Sequence, residues 1–358
     1  MPSRRLSGLK PLLALARSAS SSPLPELVEL ERLLPDLAEH AHVRVLTRVS
    51  AAGHSFPIWA LTMGSQKAEA PSLAFVGGVH GLERIGTQVV LAYLRTLSAR
   101  LTWDRVLHET LEHVRLVFVP LVNPGGMWLG RRSNPRHVDL MRNAPRGAGG
   151  RGTFLLGGQR ISPRLPWYAG DPEAAMEAES AALVQVIESE LFSSETSLAI
   201  DCHSGFGMVD RLWFPYARTR KPFPHLAEVV GIKHLLDSTL PHHVYRLEPQ
   251  AQAYTIDGDL WDYLYDRQRN VAPGRVFVPL TLEMGSWNWV RKNPRQLWSR
   301  SGSFNPVLPH RLKRTLRRHL PLFDLLVHAI HSPDSFRAQS VEQRERRELE
   351  AFTTWPHT

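Results

Sequence analysis

The chain has 358 residues, of which 43% are hydrophobic and 22% are charged, a composition typical of a globular protein with a sizeable core. This composition excludes a largely disordered chain, and no apolar run is long enough to predict a membrane span. The formal net charge of +9 is compatible with acidic partners, but no nucleic-acid-binding motif accompanies it, so we expect no nucleic-acid partner.

The first 22 residues are basic and rich in serine, and they contain no acidic residue. Their apolar stretch, PLLALA, is short for a signal peptide, which leaves a targeting segment open. We therefore predict a flexible basic tail over residues 1–22, one folded domain over residues 23–335 and a charged tail over residues 336–358. The single cysteine, Cys202, excludes an intrachain disulfide and favours a reducing compartment, so we expect a cytoplasmic protein.

The first half of the chain predicts a helix and then strands. PELVELERLLPDLAEH carries leucines at helical spacing, which indicates an amphipathic helix. VRVLTRVS and FPIWALTMG alternate apolar and polar residues around Gly53 and predict paired strands. SLAFVGGVH and VRLVFVPLVNPGG are almost continuously apolar, as buried central strands are, and residues 85–97 between them have a helical pattern.

The second half begins with a long loop. Residues 123–168 are rich in glycine, proline and arginine, and long loops in compact domains are usually functional. Asp171 and Pro172 predict the start of a helix over residues 172–190. SLAIDCHSG and RVFVPLTLEMG predict two more buried strands, and a helix follows over residues 309–330. Buried strands alternating with helices predict an α/β fold, a three-layer α/β/α sandwich whose central sheet is mixed and mostly parallel.

His80, Glu83 and His203 directly follow two of these buried strands, at the edge of the sheet where ligands gather. Two imidazoles and one carboxylate are a common ligand set for a catalytic zinc ion with one open position. Such an ion lowers the pKa of a bound water and polarises a carbonyl group. We therefore predict one Zn²⁺ per chain, with Asp139 as an outer acceptor that orients one of the ligand rings.

Five short motifs occur in the order found in the M14 family of zinc carboxypeptidases, namely GGVHGLERIG, NPGG, VDLMRN, DCHSG and TLEMG. WYAGDPEAAMEAESAAL is also similar to the family stretch that opens the helix before the third metal ligand. The resemblance spans residues 75–285. It implies the zinc-carboxypeptidase type of sandwich, a zinc-dependent hydrolase that removes C-terminal residues, and a peptide or N-acyl amino acid substrate with a free carboxylate.

The resemblance also implies roles for the hydrolytic centre. His80, Glu83 and His203 match the zinc ligands. Glu283, in TLEMG, matches the general base that takes a proton from the attacking water and passes it to the leaving amine. Arg132 matches the arginine that stabilises the oxyanion, and the adjacent Arg131 takes that role if the alignment slips by one residue.

For the substrate, the resemblance implies that Arg142 binds the terminal carboxylate and that Tyr254 closes over the bound peptide. Met141 departs from the family pattern, which has asparagine before this arginine. Because a thioether donates no hydrogen bond, we expect another donor in the carboxylate pocket, such as Asn143 or a nearby arginine. The floor that selects the cleaved side chain is left open between Leu260 and Trp261.

Two other classes of function remain open. A deacylase similar to aspartoacylase or succinylglutamate desuccinylase shares the metal triad, and a murein-peptide amidase fits the departure at Met141. NPGG, Glu283 and the candidate Tyr254 favour a peptidase over the deacylase. A non-catalytic zinc scaffold with a basic surface over residues 311–318 has no use for Glu283 or Arg132, which argues against it.

Overall fold

The computed structural model describes residues 24–146, 152–299 and 301–356. The predicted N-terminal tail, residues 1–22, lies outside these ranges. Eight strands form one mixed sheet in the order β1-β2-β4-β3-β5-β8-β6-β7. Their bounds are β1 Ala41–Ala51, β2 His54–Gly64, β3 Ser72–Gly77, β4 Arg115–Val119, β5 Thr196–Ser204, β6 Arg211–Phe214, β7 Arg246–Pro249 and β8 Val276–Met284.

The middle of the sheet is parallel and its two sides contain antiparallel pairs. β4, β3, β5 and β8 run parallel to one another, whereas β2 joins β4 and β6 joins β8 in antiparallel pairs. Every residue of β3, β4 and β5 is buried, which explains why these strands are almost continuously apolar in sequence. The parallel strands therefore bring their carboxyl ends, and the residues that follow them, to one edge of the sheet.

Helices form a layer on each face of the sheet. One layer contains the helices Pro25–Leu37, Arg84–Arg100, Leu226–Thr239, Pro309–His331 and Val341–Thr354, which contact one another in series. The other layer contains the helices Ala178–Leu191 and Leu260–Val271. The predicted α/β/α sandwich with a mixed sheet is confirmed by this arrangement and by the structural comparisons described below. Among the residues that the structure describes, no helix is long and apolar enough to cross a membrane.

The remaining helices are short. They are Arg105–His113, Pro124–Trp128, Gln250–Ala253 and Trp287–Lys292, together with the 3-10 helices Leu140–Arg142, Pro294–Trp298 and Pro333–Ser335. Leu140–Arg142 and Gln250–Ala253 both lie beside the candidate site. The sequence analysis assigned no secondary structure to most of these segments, nor to β6 and β7, because each is too short to show a clear period.

Two predicted boundaries are wrong. The helix predicted from residue 172 begins at Ala178, because the Asp171 carboxylate accepts a hydrogen bond from the Glu173 amide and closes a local turn instead of a helix. Within the predicted tail, residues 336–358, the described residues 336–356 pack against the domain. Phe336 and Ala351 are fully buried, and the helix Val341–Thr354 packs against Leu226–Thr239.

Candidate active site

The turn after β3 carries two of the three candidate metal ligands. His80 is 3% exposed and Glu83 is 2% exposed, and Glu83 directly precedes the helix Arg84–Arg100. Gly86 lets this helix approach β5, because a Cβ atom at that position would lie 2.1 Å from the Cys202 carbonyl oxygen. The close approach places the Glu83 carboxylate beside the end of β5, where its Oε2 accepts a hydrogen bond from the Ser204 amide 3.0 Å away.

His203, at the end of β5, completes the cluster. The Nδ1 atoms of His80 and His203 lie 3.1 Å apart, and each lies 3.0 to 3.2 Å from an oxygen of Glu83. Ligands held about 2.0–2.1 Å from a tetrahedral zinc ion are roughly 3.3 Å from one another, which the observed spacings approach. Among the described residues these three side chains form the one histidine–acid cluster whose donor atoms all lie within 4.8 Å.

The far nitrogen of each ligand ring faces a carboxylate. His80 Nε2 lies 3.1 Å from Asp139 Oδ1, and His203 Nε2 lies 2.7 Å from Asp201 Oδ2. A carboxylate beside Nε2 favours the tautomer that carries its proton on that nitrogen, and this tautomer leaves the lone pair of Nδ1 available to the cluster. The residues present therefore fit a bound zinc ion.

Asp201 is a functional residue that the sequence analysis missed. It precedes His203 by two positions on β5, so both side chains lie on the same face of the strand. Asp201 also accepts a hydrogen bond from Trp261 Nε1 at 2.9 Å, which fixes the carboxylate against the helix Leu260–Val271. The alternation of side chains along a strand could have identified Asp201, because it places Asp201 and His203 on one face. Asp201 was missed because the apolar segment SLAIDCHSG was interpreted only as a buried core strand.

Arg132 connects the candidate ligand cluster to Asp139. Its guanidinium donates to Glu83 Oε1 at 2.8 Å and to Asp139 Oδ2 at 3.1 Å, while 28% of the side chain stays exposed in the pocket. Arg131 instead contacts His137 on the outside, so the structure places Arg132, and not its neighbour, at the cluster. Burial opposes ionisation of Asp139, but Arg142 and Arg132 outweigh it and hold the pKa of Asp139 well below its usual range.

Glu283 lies opposite His203 in the pairing of β5 with β8 and is 6% exposed. Its Oε1 accepts a hydrogen bond from the Phe206 amide at 2.9 Å. Burial, and next the Glu83 carboxylate, raise the pKa of Glu283 above its usual range. A cation bound between the ligands would oppose this shift, because positive charge stabilises the carboxylate form.

These side chains line one pocket with a volume of about 340 Å³, which is within the usual range for small-ligand sites. Tyr254 lies on its wall, with its ring 5.8 Å from that of Phe206. Most of the predicted site residues line this pocket, namely His80, Glu83, Arg132, Arg142, His203, Tyr254 and Glu283. Met141 lines it as well.

Arg142 lines the pocket but is only 1% exposed. Its guanidinium donates to Asp139 Oδ2 at 2.9 Å and to the Leu156 carbonyl oxygen at 2.9 and 3.2 Å. Three of its five N–H groups are thus used within the protein. This burial was not foreseen, because the loop that supplies Leu156 lies 14 residues away in sequence.

Asn143 does not face the pocket, contrary to the sequence expectation. Its amide nitrogen donates to the Ala169 carbonyl oxygen at 3.0 Å, and its amide oxygen accepts from the Glu177 amide at 2.7 Å. Both polar atoms of the side chain therefore hold the loop before the helix Ala178–Leu191. The expectation that Asn143 replaces the donor missing at Met141 is wrong for this reason.

The pocket contains two further carboxylates that the sequence analysis did not assign. Asp259 and Asp262 both line it, and both are at least 95% buried. Asp259 caps the helix Leu260–Val271 by accepting from two backbone amides, and Asp262 accepts from the Ala217 and Arg218 amides. Burial raises the pKa of both carboxyl groups, and their mutual repulsion adds to the shift at Asp262.

A His–Glu–His cluster flanked by carboxylates, at the carboxyl ends of parallel strands in an α/β sandwich, is the arrangement of a zinc-dependent hydrolase. A model of the zinc carboxypeptidase family, peptidase M14, matches residues 37–286. The match covers more than half of the chain, so the chain belongs to this family.

Curated relatives are similar to parts of the chain. Carboxypeptidase SOL1 of Arabidopsis thaliana is 26% identical over 121 residues, which cover 33% of this chain and 25% of that protein. Carboxypeptidase D of Anas platyrhynchos is 25% identical over 244 residues, covering 64% of this chain and 16% of that protein. The matches thus span a quarter or less of these two relatives.

Solved structures agree on the fold. The crystal structure of carboxypeptidase A from Helicoverpa armigera superposes with a TM-score of 0.61 at 16% sequence identity, covering 92% of this chain and 80% of that one. The crystal structure of thrombin activatable fibrinolysis inhibitor gives a TM-score of 0.60 at 16% identity, covering 84% and 72%. At this identity the likeness establishes the fold alone.

Proposed function

We propose that this metallopeptidase removes C-terminal residues from peptides, with Glu283 as the general base. The observation that supports this most strongly is that the ligand cluster, Glu283 and Arg132 line one pocket of about 340 Å³. A scaffold that only bound metal would need neither the base nor the cation. When bound, zinc supplies Lewis acidity and lowers the pKa of a water in its coordination sphere.

Glu283 moves the proton in the proposed reaction. Its buried carboxylate accepts a proton from the attacking water and then gives it to the amine of the departing residue. The Phe206 amide, 2.9 Å from Glu283 Oε1, fixes the direction of the carboxylate during both transfers. Glu283 is only 6% exposed, so the proton is held away from bulk solvent between the two steps.

Arg132 stabilises the negative charge that develops on the scissile carbonyl oxygen. Two carboxylates, Glu83 and Asp139, hold its guanidinium in place, so little reorganisation is needed when that charge appears. The side chain of Arg132 is 28% exposed and lines the pocket in which the peptide is proposed to bind. Tyr254, on the pocket wall, covers the bound peptide in the proposed complex.

We propose that the pocket prefers a basic C-terminal side chain. Asp259 and Asp262 bring two buried carboxyl groups to the pocket. Burial raises the pKa of both, although Arg142 acts on Asp259 and Arg218 lies 3.7 Å from Asp262, so a further positive charge in the pocket would favour their ionised form. A lysine or arginine side chain of the substrate would provide that charge and would be desolvated together with them. An acidic side chain would be repelled.

A second candidate is an amidase or endopeptidase that does not recognise a free carboxylate. It is favoured by the use of Arg142 in contacts with Asp139 and Leu156, and by Met141 in the position where a donor is expected. A substrate carboxylate would have to bind the two N–H groups of Arg142 that are not used in these contacts. The two candidates differ in one measurable property, the response to blocking the terminal carboxylate.

A hydrolysis screen tests these proposals together. Matched peptides ending in lysine, leucine or glutamate are supplied as free acids and as amides, with N-acyl amino acids as a third set. We expect the free-acid lysine peptide to be cleaved fastest, with loss of activity in a chelator and recovery on adding zinc. Equal cleavage of acids and amides supports the amidase, whereas cleavage of N-acyl amino acids alone supports a deacylase.

The variant Asp259→Asn tests the proposed preference for a basic C-terminal side chain. Asparagine keeps the helix cap and removes the charge, so the fold is preserved. We expect the preference for lysine over leucine to fall at least about tenfold, the order of the loss of one charge-assisted contact. An unchanged preference would remove Asp259 from the recognition of the side chain.

A further inference from the structure

The loop Gly205–Asp210, which joins β5 to β6, holds the region of Glu283 at two points. The Phe206 amide near its start donates to the Glu283 carboxylate at 2.9 Å. Asp210 at its end accepts a hydrogen bond from the Gly285 amide, also at 2.9 Å, two residues after Glu283. One short loop therefore fixes both the side chain of Glu283 and the backbone that follows it.

Asp210 is buried and lies outside the substrate pocket. It is 6% exposed, and it is absent from the residues that line the pocket. One carboxylate oxygen binds the Gly285 amide, and the other accepts from the Arg318 guanidinium at 2.9 Å. Arg318 belongs to the helix Pro309–His331 and supplies the counter-charge that a buried carboxylate requires. Asp210 thus connects the end of β8 to a helix of the outer layer.

The backbone around Gly285 has little freedom to move. A Cβ atom at Gly285 would lie 2.6 Å from both the Met208 carbonyl carbon and the Val209 nitrogen, so the loop is packed directly against this residue. On the neighbouring strand, Arg211 is opposite Glu283 in the antiparallel pairing of β6 with β8. Close packing leaves the Gly285 amide dependent on Asp210 for a hydrogen-bond acceptor.

We propose that Asp210 is a positioning residue that sets the orientation of Glu283 through the Gly285 amide and the loop Gly205–Asp210. The inference rests on the proposed function, in which Glu283 is the general base. Asp210 itself does not contact the substrate or the metal cluster. The Trp287 amide also donates to the Gly207 carbonyl oxygen and Trp287 Nε1 to the Gly205 carbonyl oxygen, so the loop stays attached to the segment after β8. Without the Asp210 carboxylate, the Gly285 amide loses its acceptor, the end of β8 is held less firmly against the loop, and the Glu283 carboxylate leaves the direction needed for proton transfer.

Two substitutions separate this role from general stability. Asp210→Asn keeps an oxygen acceptor for the Gly285 amide, whereas Asp210→Ala removes it. With the zinc-loaded full chain, we expect Asp210→Ala to lower kcat about 10- to 100-fold with little change in KM, the order expected when a catalytic group is misplaced. Asp210→Asn should retain most of kcat. Asp104→Ala is the control, since Asp104 is a buried helix cap bound to Arg100, remote from the pocket.

A double-mutant cycle with Glu283→Gln locates the effect. If Asp210 acts through Glu283, adding Asp210→Ala to Glu283→Gln changes kcat by less than about twofold. The reason is that two substitutions which impair the same catalytic group are not additive. The same factor in both backgrounds would overturn the proposal. So would an Asp210→Ala variant with unchanged kcat, or equal losses in Asp210→Ala and Asp210→Asn.

Amide hydrogen exchange tests the same contacts without any need for activity. We expect Asp210→Ala to accelerate exchange at Gly285 and Phe206 at least about tenfold, and Asp210→Asn to leave both amides protected. Unchanged exchange in Asp210→Ala contradicts the proposal even if the parent cleaves no peptide. Failure of every peptide in the hydrolysis screen would contradict the proposed function instead, so the two failures are distinguishable.

Discussion

The two ends of the pocket are built differently. At the metal end, the Nδ1 atoms of His80 and His203 lie 3.1 Å apart, each lies 3.0 to 3.2 Å from one of the two oxygens of Glu83, and a carboxylate lies beside the Nε2 atom of each imidazole. At the end where the terminal carboxylate of a substrate is expected, Arg142 is bound to protein groups and Met141 offers no donor. The metal end thus has three candidate ligands at a spacing that suits zinc. The carboxylate end departs from the family pattern at Met141.

The difference between the two ends follows from what each of them is expected to bind. A metal centre requires fixed distances and fixed tautomers, so its residues cannot vary independently. Recognition of the substrate terminus tolerates other arrangements, because any suitable donor or counter-charge can serve. Asp139 links the two ends, since its oxygens contact His80 on one side and Arg132 and Arg142 on the other.

The largest effects are expected at the metal end. His80→Ala and His203→Ala each remove one of three ligands, so we expect both variants to lose bound zinc and measurable hydrolysis. Elemental analysis after dialysis measures the metal directly. His108→Ala is a suitable control, because His108 binds the Leu101 carbonyl oxygen far from the cluster. Full zinc content in both ligand variants would show that the ion is held elsewhere.

Glu283→Gln separates the base from the ligands. We expect this variant to keep its zinc and its affinity for substrate while kcat falls about 10²- to 10⁴-fold, the usual effect of removing a positioned acid/base group. Glutamine preserves the acceptor for the Phe206 amide, so the loop should stay in place. Steady-state kinetics together with zinc analysis measures this. Turnover close to that of the parent would assign the proton transfer to another group.

Arg142→Ala probes the other end of the pocket. If Arg142 binds the substrate carboxylate, we expect free-acid peptides to lose about 2–5 kcal/mol of binding, while amidated peptides, already poor substrates, do not change further. Zinc content must be measured in parallel, because Arg142 also contacts Asp139.

Met141→Asn is the complementary change, and it should tighten binding of free-acid peptides if a missing donor is what weakens the pocket. Comparison of KM for the two peptide types gives the answer. A loss of equal size for acids and amides in Arg142→Ala would mean that Arg142 only holds Asp139 and Leu156.

The smallest effect is expected from the two carboxylates that face the Nε2 atoms of the histidine ligands. Asp201→Asn and Asp139→Asn remove the carboxylates that face His203 Nε2 and His80 Nε2, and we expect zinc affinity to fall about 10- to 100-fold in each. Competition with a chromogenic chelator measures the affinity. Zinc binding as tight as in the parent in both variants would show that the ring orientations do not depend on these contacts.

The sequence predicted the parts of this molecule that have strong local signals. The apolar runs that became β3, β4, β5 and β8 located the strand ends, and with them His80, Glu83, His203 and Glu283. The family pattern added Arg132, Arg142 and Tyr254, which the structure also brings to the pocket. The burial of these strands and the residues at their ends could therefore be predicted from the sequence, whereas the order of the strands in the sheet could not.

The remaining features depend on contacts between distant segments. Asn143 faces Ala169 and Glu177 instead of the substrate, and Arg142 is covered by a carbonyl group from another part of the loop. Asp259 and Asp262 enter the pocket because their helix packs beside β8 and is joined to β5 by the hydrogen bond from Trp261 to Asp201. The orientations of these side chains are set by tertiary packing, so the hydrophobic periodicity of a single segment does not predict them.

One measurement tests the central claim, a zinc ion held by these three side chains, most directly. Crystals of the zinc-loaded protein are measured on both sides of the zinc absorption edge, and the anomalous difference locates the ion. The account predicts one peak per chain within about 2.0–2.2 Å of His80 Nδ1, His203 Nδ1 and an oxygen of Glu83. A zinc peak bound to other side chains, or none among these three at full zinc occupancy, would contradict it.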